Sequence, residues 1–268
     1  MFEQVIKDVS TRVPMPDTQV NGKCSVCGER LTMTIKGYTV NRMCACVREK
    51  VHERQKRTED TDKDIARKKC FAGNSKHLAA TFENSEDKES KPYLIAKGYA
   101  NKFRDMKKQG KGLLLWGTVG SGKSYLSACI ANELIDKGYS VLYRSFVDLA
   151  TRMHDYGVTE ADVIDDVCKP ALFVLDDLGA ERKTEWMQEK VLQIINARLE
   201  RNLPIIVTTN ITLEDMANEK ETQQARIYNR VMEMCNPVKV VGSSWRTKAL
   251  KDRYKTDMEM LEESGRNG

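Results

Sequence analysis

The sequence has no long apolar stretch, and none of its apolar runs approaches the roughly 20 residues that a membrane-crossing helix needs. Its N-terminal segment, MFEQVIKDVSTRVPMPD, is charged throughout and lacks the apolar centre of a signal peptide. A marked excess of one charge is also missing, because 44 basic residues face 39 acidic ones and leave a net charge of +5. These absences predict a cytoplasmic protein whose charge permits contact with nucleic acid without requiring it.

The 268 residues are enough for one large domain, or for one of ordinary size with a small appendage. Residues 21–46 carry four cysteines, residues 47–70 are almost entirely charged, and from Phe82 onward short apolar runs alternate with helical stretches. The charged segment is typical of a solvated helix or a flexible tether. We expect a cysteine-rich domain at 1–50, a charged linker or helix at 51–80, an α/β domain at 81–246 and a polar tail at 247–268.

Five apolar runs in the α/β region predict strands, and most are continuously apolar, as in strands buried on both faces of a parallel sheet. The predicted strands are Gly112–Trp116, Val141–Arg144, Leu172–Asp176, Ile205–Thr209 and Val238–Val241. The predicted helices are Lys123–Lys137, Phe146–Tyr156, Thr184–Arg201 and Gln223–Met234. Strand and helix in repeated order imply right-handed crossovers, so the expected fold is α/β with a doubly wound parallel sheet.

The segment GTVGSGKS, residues 117–124, matches the phosphate-binding pattern G-x-x-x-x-G-K-[ST] between a predicted strand and a predicted helix. Its glycines let the backbone curl so that N–H groups point at phosphate oxygens, and the helix start adds the positive end of its dipole. Lys123 is expected to neutralise the β- and γ-phosphates of ATP, and Ser124 to ligate Mg²⁺. The predicted ATP-binding residues are Gly117, Thr118, Val119, Gly120, Ser121, Gly122, Lys123, Ser124, Tyr125 and Asp176.

Two other predicted strands end in polar residues that this chemistry needs. The run ALFVLDDLGAE ends a buried strand in Asp176 and Asp177, at the edge of a parallel sheet where ligands bind. Asp176 is expected to hold Mg²⁺, and Asp177 to orient or deprotonate the attacking water. The alternative is that the pair caps the following turn. Asn210, at the end of IIVTTN, would bring an amide to the γ-phosphate.

Three arginines have no obvious local partner: Arg226 and Arg230 in RIYNRVMEM, and Arg246 in SSWR. Arg226 and Arg230 lie four residues apart and therefore share one helix face. An arginine that reaches the γ-phosphate of a neighbouring subunit stabilises the charge that develops there. On spacing alone, the alternative is that these are ordinary surface arginines.

Four of the eight cysteines form two close pairs, Cys24 with Cys27 in CSVCG and Cys44 with Cys46 in CAC. In a cytosolic chain such pairs predict a metal site rather than disulfides, and four thiolates suit tetrahedral Zn²⁺. The residues between the pairs alternate like two strands around KGY, as in a zinc ribbon. A redox dithiol and an iron–sulfur cluster are the alternatives. A four-thiolate site is closed, and we expect it to be structural.

The remaining cysteines and the histidines do not form a second set of this kind. The cysteines predicted to be core or incidental residues are Cys70, Cys129, Cys168 and Cys235. His52, His77 and His154 have no partner at metal-ligand spacing, so they are predicted to have no metal-binding role.

From about Phe82 to Arg246 the chain resembles the AAA+ ATPases of the DnaC/DnaI helicase-loader group, which also includes the IstB transposition helpers. The resemblance rests on GLLLWGTVGSGKSYLSACIANELIDKGYSVLY, LFVLDDLGAE, INARLERNLPIIVTTN and RIYNRV. It implies that Asn210 is sensor 1, that Arg230 is the arginine finger with Arg226 as the fallback, and that Arg246 is the sensor 2 arginine.

Two departures from the wider AAA+ pattern have consequences. Asp177 stands where many AAA+ proteins have Glu, and its side chain is one methylene shorter, which implies slow hydrolysis. Fewer than 30 residues follow the last predicted strand. The resemblance therefore implies an AAA+ domain with a truncated lid, preceded by a small zinc-ribbon domain.

The resemblance implies an ATP-driven loader of a hexameric replicative helicase, in a bacterial cell or a phage-infected one. The zinc module would hold the helicase, as in DnaI-like loaders, and the ATPase domain would assemble into an ATP-dependent oligomer and contact single-stranded DNA. One alternative is an IstB-like transposition helper, which would bind duplex DNA and a transposase. Another is a zinc-ribbon DNA-binding adaptor with negligible ATP turnover. A small-molecule kinase would not need Asn210 and the paired arginines.

Overall fold

The computed structural model describes residues 19–241, except 21, 36–37, 73 and 180–183, together with residue 258. The chain divides into two compact units, residues 1–62 and 63–268, and the division falls inside one helix. In the described ranges, no helix combines the length and the apolar character that spanning a membrane requires.

The N-terminal unit contains two short antiparallel strand pairs followed by a helix. Strands β1 (Gln19–Val20) and β2 (Lys23–Cys24) form the first pair, and β3 (Thr32–Ile35) and β4 (Tyr38–Asn41) form the second. The second pair is the hairpin predicted around KGY. Helix α1 (Ala45–Cys70) contains the charged segment and is exposed along most of its length. The charged segment is therefore a helix, which was one of its two predicted forms.

The second unit opens with three helices that the sequence analysis did not predict: α2 (Ser75–Leu78), α3 (Lys91–Asn101) and α4 (Phe103–Lys108). Strand β5 (Gly112–Trp116) and helix α5 (Lys123–Asp136) flank the phosphate loop, as predicted. Next come β6 (Val141–Ser145), α6 (Phe146–Met153), α7 (Glu160–Cys168) and β7 (Leu172–Leu178). The remaining described elements are α8 (Glu185–Glu200), β8 (Ile205–Thr209), α9 (Leu213–Ala217), α10 (Thr222–Met234) and β9 (Cys235–Lys239).

The five strands that the structure describes in this unit form one parallel sheet in the order β6-β7-β8-β5-β9. Both faces of the sheet are buried: Leu113 and Leu115 of β5 pack on one side with residues of α3 and α5, and Leu114 packs on the other with residues of α6, α7, α8 and α10. This arrangement explains why the strands read as continuous apolar runs. It confirms the prediction of an α/β, doubly wound parallel sheet.

The last strand begins three residues earlier than the sequence analysis predicted. β9 starts at Cys235, directly after α10 ends at Met234, whereas the apolar run had indicated Val238–Val241. Among the described strands, β9 lies at the edge of the sheet and pairs only with β5. An edge strand tolerates polar residues and proline, here Asn236 and Pro237, so its apolar run covers only part of the strand.

Helix α7 was missed, and helix α6 was predicted three residues too long. A capping box marks the start of α7, where the Thr159 hydroxyl accepts from the N–H of Asp162 and the Asp162 carboxylate accepts from the N–H of Thr159. A threonine followed three residues later by an aspartate, here Thr159 and Asp162, is a sequence signal for the start of a helix. The truncated lid predicted after the last strand lies outside the described residues.

Candidate functional site

The phosphate loop joins the carboxyl end of β5 to the amino end of α5. Gly117, Gly120 and Gly122 have φ values of 150°, 80° and 101°, which residues other than glycine rarely adopt. Gly117 also leaves no room for a side chain, since a Cβ atom there would lie 2.3 Å from the carbonyl oxygen of Val240. Gly122 is the N-cap of α5 and provides no side-chain cap, so the first N–H groups of that helix suit an anion.

Lys123 is only 6% exposed, and its ammonium group lies among oxygen atoms of the loop. Its Nζ donates to the carbonyl oxygens of Gly117 at 3.0 Å and Thr118 at 2.8 Å, and to Oδ1 of Asn210 at 2.7 Å. Ser121 Oγ in the same loop is buried and has no hydrogen-bond partner among the described residues. A buried ammonium group and a buried hydroxyl in this loop fit a bound phosphate, which supplies acceptor oxygens for both.

Two further residues predicted to bind ATP, Val119 and Tyr125, differ in their surroundings. Val119 is 64% exposed. The hydroxyl of Tyr125 donates to the carbonyl oxygen of Thr81 at 2.9 Å, so this side chain is engaged by the chain before α3. Burial raises the pKa of Tyr125 to about 12, which keeps the hydroxyl protonated as a donor.

Asp176 and Asp177 lie near the carboxyl end of β7. Ser124 Oγ donates to Asp176 Oδ1 at 2.9 Å, so the two side chains predicted to hold Mg²⁺ are in contact. Asp177 is exposed and has a φ of 61°, a left-handed conformation that is uncommon for residues other than glycine. A hydroxyl and a carboxylate that already touch are suitable oxygen ligands for Mg²⁺. These residues therefore fit the metal.

Asn210 connects the phosphate loop to the second aspartate. Its Nδ2 donates to Asp177 Oδ1 at 3.1 Å, while its Oδ1 accepts the hydrogen bond from Lys123. Asn210 directly follows β8, which lies between β7 and β5 in the sheet. The sheet order thus brings together side chains from three separate segments that the sequence analysis had assigned to one site.

The predicted arginines lie apart from this network. Arg226 and Arg230 are both exposed on α10, and Arg230 Nη1 donates to Glu233 Oε2 at 2.7 Å. An arginine that acts on the nucleotide of a neighbouring subunit has to be exposed on its own subunit, so this placement suits the expected role. Arg246 lies outside the described residues.

Two buried residues of the site were missed by the sequence analysis. Thr208 Oγ1 donates to Asp176 Oδ1 at 2.6 Å and accepts from the backbone N–H of Asp177 at 2.8 Å. The hydroxyl of Tyr143 on β6 lies 3.1 Å from Ser127 Oγ and donates to the carbonyl oxygen of Ser124 at 3.4 Å. Burial raises the pKa of Tyr143 above its ordinary value. A hydroxyl residue inside a buried strand was the available signal for both.

The four cysteines predicted to bind metal lie together in the N-terminal unit. Their Sγ atoms are all within 4.8 Å of one another, with 3.6 Å between Cys24 and Cys46 and 3.2 Å between Cys44 and Cys46. Four thiolates around a tetrahedral zinc ion would be about 3.8 Å apart, given Zn–S bonds of about 2.3 Å. The donor set and its spacing fit Zn²⁺.

Glu29 links the two halves of the cysteine cluster. It follows the turn that contains Cys27, and its Oε2 accepts at 2.5 Å from the N–H of Ala45, which lies between Cys44 and Cys46. The same carboxylate forms an ion pair with Arg42. The Ala45 N–H, which donates to it, is the main cause of a lowered pKa of Glu29.

The thiols of this cluster differ in acidity. Backbone N–H groups of Cys27 and Val26 lower the pKa of the Cys24 thiol to about 6. A hydrogen bond with Cys44, together with burial, raises the pKa of Cys46 to about 12. Thiols packed this closely do not all ionise unless a cation balances their charge, which is what a bound metal ion supplies.

Comparison with known proteins assigns the family. Residues 45–253 match the family described as IstB-like ATP binding protein. The chain belongs to this family. Among curated relatives of this IstB-like protein, the replicative helicase loader DnaI of Bacillus subtilis is 30% identical over 152 residues, which cover 52% of this chain and 48% of DnaI. The replicative helicase loader DnaC of Escherichia coli (strain K12) is 28% identical over 127 residues, which cover 45% of this chain and 52% of DnaC.

The chain spans about half the length of these curated relatives. A crystal structure of DnaI is similar in fold to this IstB-like protein, with a TM-score of 0.53 and 28% sequence identity, covering 63% of this chain and 91% of that one. These findings confirm the resemblance and the α/β AAA+ fold that the sequence analysis predicted. The phosphate loop, residues 117–124, lies inside the region that matches this ATP-binding family.

Proposed function

We propose that this protein is an ATP-dependent loader of a hexameric replicative DNA helicase. The observation that carries the ATP-dependent part of the proposal is the network of Lys123, Asn210 and Asp177, which connects the phosphate loop to the acidic pair. Two relatives similar over this region are named replicative helicase loaders, and they support the choice of partner.

ATP binds with its phosphates in the loop formed by residues 117–124. The Lys123 ammonium group exchanges its contacts with carbonyl and amide oxygens for phosphate oxygens, and the N–H groups at the start of α5 bind the same charge. Ser124 and Asp176 hold Mg²⁺. When bound, this ion neutralises charge on the β- and γ-phosphates.

Hydrolysis depends on Asp177 and Asn210. The Asp177 carboxylate accepts a hydrogen bond from the attacking water, and the Asn210 amide holds that carboxylate in place while its oxygen faces Lys123. The short aspartate side chain makes turnover slow. Arg230 supplies positive charge to the nucleotide of an adjacent subunit, so an isolated monomer hydrolyses poorly.

The two units divide the work in this proposal. The N-terminal unit, held together by Zn²⁺ on Cys24, Cys27, Cys44 and Cys46, binds the helicase, and the ATPase unit assembles with its copies and contacts single-stranded DNA. ATP and ADP stabilise different assemblies because a ligand shifts only those states that it binds unequally. The protein then works in the cytoplasm of a bacterial or phage-infected cell.

A second candidate is a transposition helper that binds duplex DNA and a transposase. The description of the matching family as IstB-like favours this reading. Affinity for duplex DNA without affinity for a replicative helicase distinguishes the helper from the loader.

Replacing Lys123 with alanine is expected to weaken ATP binding by about 100-fold, because the phosphates lose a buried charge-assisted contact worth about 3 kcal/mol. Titration of a fluorescent ATP analogue measures the affinity, and pull-down with the helicase measures partner binding, which should survive. Lys137→Ala, at the exposed other end of α5, is the matched control and should keep the wild-type affinity. Unchanged affinity in Lys123→Ala would contradict the proposed nucleotide site.

A further inference from the structure

Thr208 lies in β8, beside Asp176 and Asp177 of the neighbouring strand β7. Its side chain is only 1% exposed. Its Oγ1 lies 2.6 Å from Asp176 Oδ1 and 2.8 Å from the backbone nitrogen of Asp177. One buried hydroxyl therefore contacts both acidic residues, the first through its side chain and the second through its backbone.

The direction of these two hydrogen bonds is fixed by chemistry. The backbone N–H of Asp177 can only donate, so Thr208 Oγ1 is its acceptor. A hydroxyl has a single proton, and that proton is then directed at Asp176 Oδ1. Ser124 Oγ donates to the same oxygen at 2.9 Å, so Asp176 Oδ1 is held from two sides.

The sheet is irregular where Thr208 makes these contacts. The register between β7 and β8 shifts between Leu175 and Leu178, and Asp176 and Asp177 lie inside that shift. Such irregularities redirect side chains and interrupt regular backbone pairing. At this shift the hydroxyl of Thr208 accepts from the N–H of Asp177 while that residue is in its left-handed conformation, with a φ of 61°.

We propose that Thr208 is a positioning residue of the ATP site. Its hydroxyl orients Asp176 toward Mg²⁺ and holds the backbone of Asp177 so that the Asp177 carboxylate meets Asn210. The part that concerns hydrolysis rests on the proposed function, whereas the part that concerns Mg²⁺ requires only nucleotide binding. Because both aspartates depend on one hydroxyl, its loss affects the metal and the attacking water together.

Thr208→Val tests this role, because valine has nearly the shape of threonine and carries a methyl group in place of the hydroxyl. The readout is the affinity for a fluorescent ATP analogue, titrated across Mg²⁺ concentrations and in EDTA. Removing a residue that orients a metal ligand typically costs 10-fold to 100-fold in metal affinity. We expect a rise of roughly that size in the Mg²⁺ concentration needed for tight binding, with affinity in EDTA unchanged, and a parallel loss of any hydrolysis.

Thr209→Val is the matched control from the same strand. Thr209 is also buried, and its hydroxyl also makes two hydrogen bonds, donating to the carbonyl oxygen of Leu178 at 2.7 Å and accepting from Ile211 N–H at 3.1 Å. This variant should lose stability and keep the Mg²⁺ dependence of the wild type. Thr208→Ser, which restores the hydroxyl, should return the Mg²⁺ dependence to within a few-fold of wild type.

The outcomes separate this inference from the proposed function. Equal Mg²⁺ dependence in Thr208→Val and Thr209→Val would overturn the inference, as would a failure of Thr208→Ser to rescue. A wild-type protein that binds Mg²⁺–ATP without hydrolysing it would contradict the ATPase part of the proposed function. The Mg²⁺ titration of Thr208→Val would remain a valid test, because it requires only nucleotide binding. If Thr208→Val does not fold, amide exchange of Asp177 in the wild type decides, because a rapidly exchanging N–H is incompatible with the Thr208 contact.

Discussion

Removing the proposed Zn²⁺ ion from the N-terminal unit is expected to unfold that unit and leave the ATP-binding unit folded. Among the side chains described in residues 22–62, only those of Cys24 and Cys44 are buried, so the cysteine cluster takes the place of an apolar core. Structural zinc contributes on the order of 10 kcal/mol in small domains of this kind. Two-stranded pairs this short are at best marginally stable on their own, so we expect them to lose their order without the metal.

Cys44→Ser and treatment with a strong chelator are two routes to the same state. Metal content by elemental analysis should fall from one zinc per chain to none, and hydrogen exchange over residues 22–44 should become as fast as in an unfolded peptide. Protection over β5 and β8 should persist. Cys168→Ser is the matched control, because Cys168 is a buried cysteine of the other unit. Retained protection over residues 22–44 in metal-free protein would refute a structural zinc site.

Replacing Arg230 with alanine is expected to lower the turnover number of the assembled protein about 1,000-fold, with ATP affinity unchanged. Arginine fingers contribute effects of this order because they meet charge that develops only in the transition state. Arg230 is exposed and pairs only with Glu233 among the described residues, so the substitution should cost little stability. Steady-state hydrolysis measured against protein concentration checks the effect.

Arg226→Ala is the matched variant, one turn earlier on the same exposed face of α10. Its turnover should remain near wild type. Mixing Arg230→Ala with Lys123→Ala subunits adds a stricter test, since each supplies what the other lacks and some turnover should return. Unchanged turnover in Arg230→Ala would contradict the assignment of Arg230 as the arginine finger. The finger would then be Arg226 or neither of the two.

The features that the sequence predicted well are those encoded in neighbouring residues. The phosphate loop needs only residues 117–124 between a strand and a helix, and the structure has β5 and α5 there. The cysteine pairs predicted a cluster because each pair lies within four residues, and the hairpin between them brings the pairs together. Buried strands were readable because both faces of the sheet are covered.

Several of the missed features depend on contacts between distant segments, whereas the missed helix α7 had a local signal in its capping box. Thr208 reaches the aspartates only because the β7–β8 register shifts beside them, and no local pattern encodes that shift. The left-handed backbone of Asp177 has the same origin, since an aspartate offers no signal of positive φ comparable to a glycine. β9 was placed too late because an edge strand needs no apolar start.

Native mass spectrometry of this protein mixed with the replicative helicase of its host, in ATP and in ADP, tests the central proposal most directly. The account predicts a defined complex that retains one zinc ion per loader chain, with different stoichiometry or abundance in the two nucleotides. No complex in either nucleotide would contradict the loader function, and a transposase with duplex DNA would then be the partner to test.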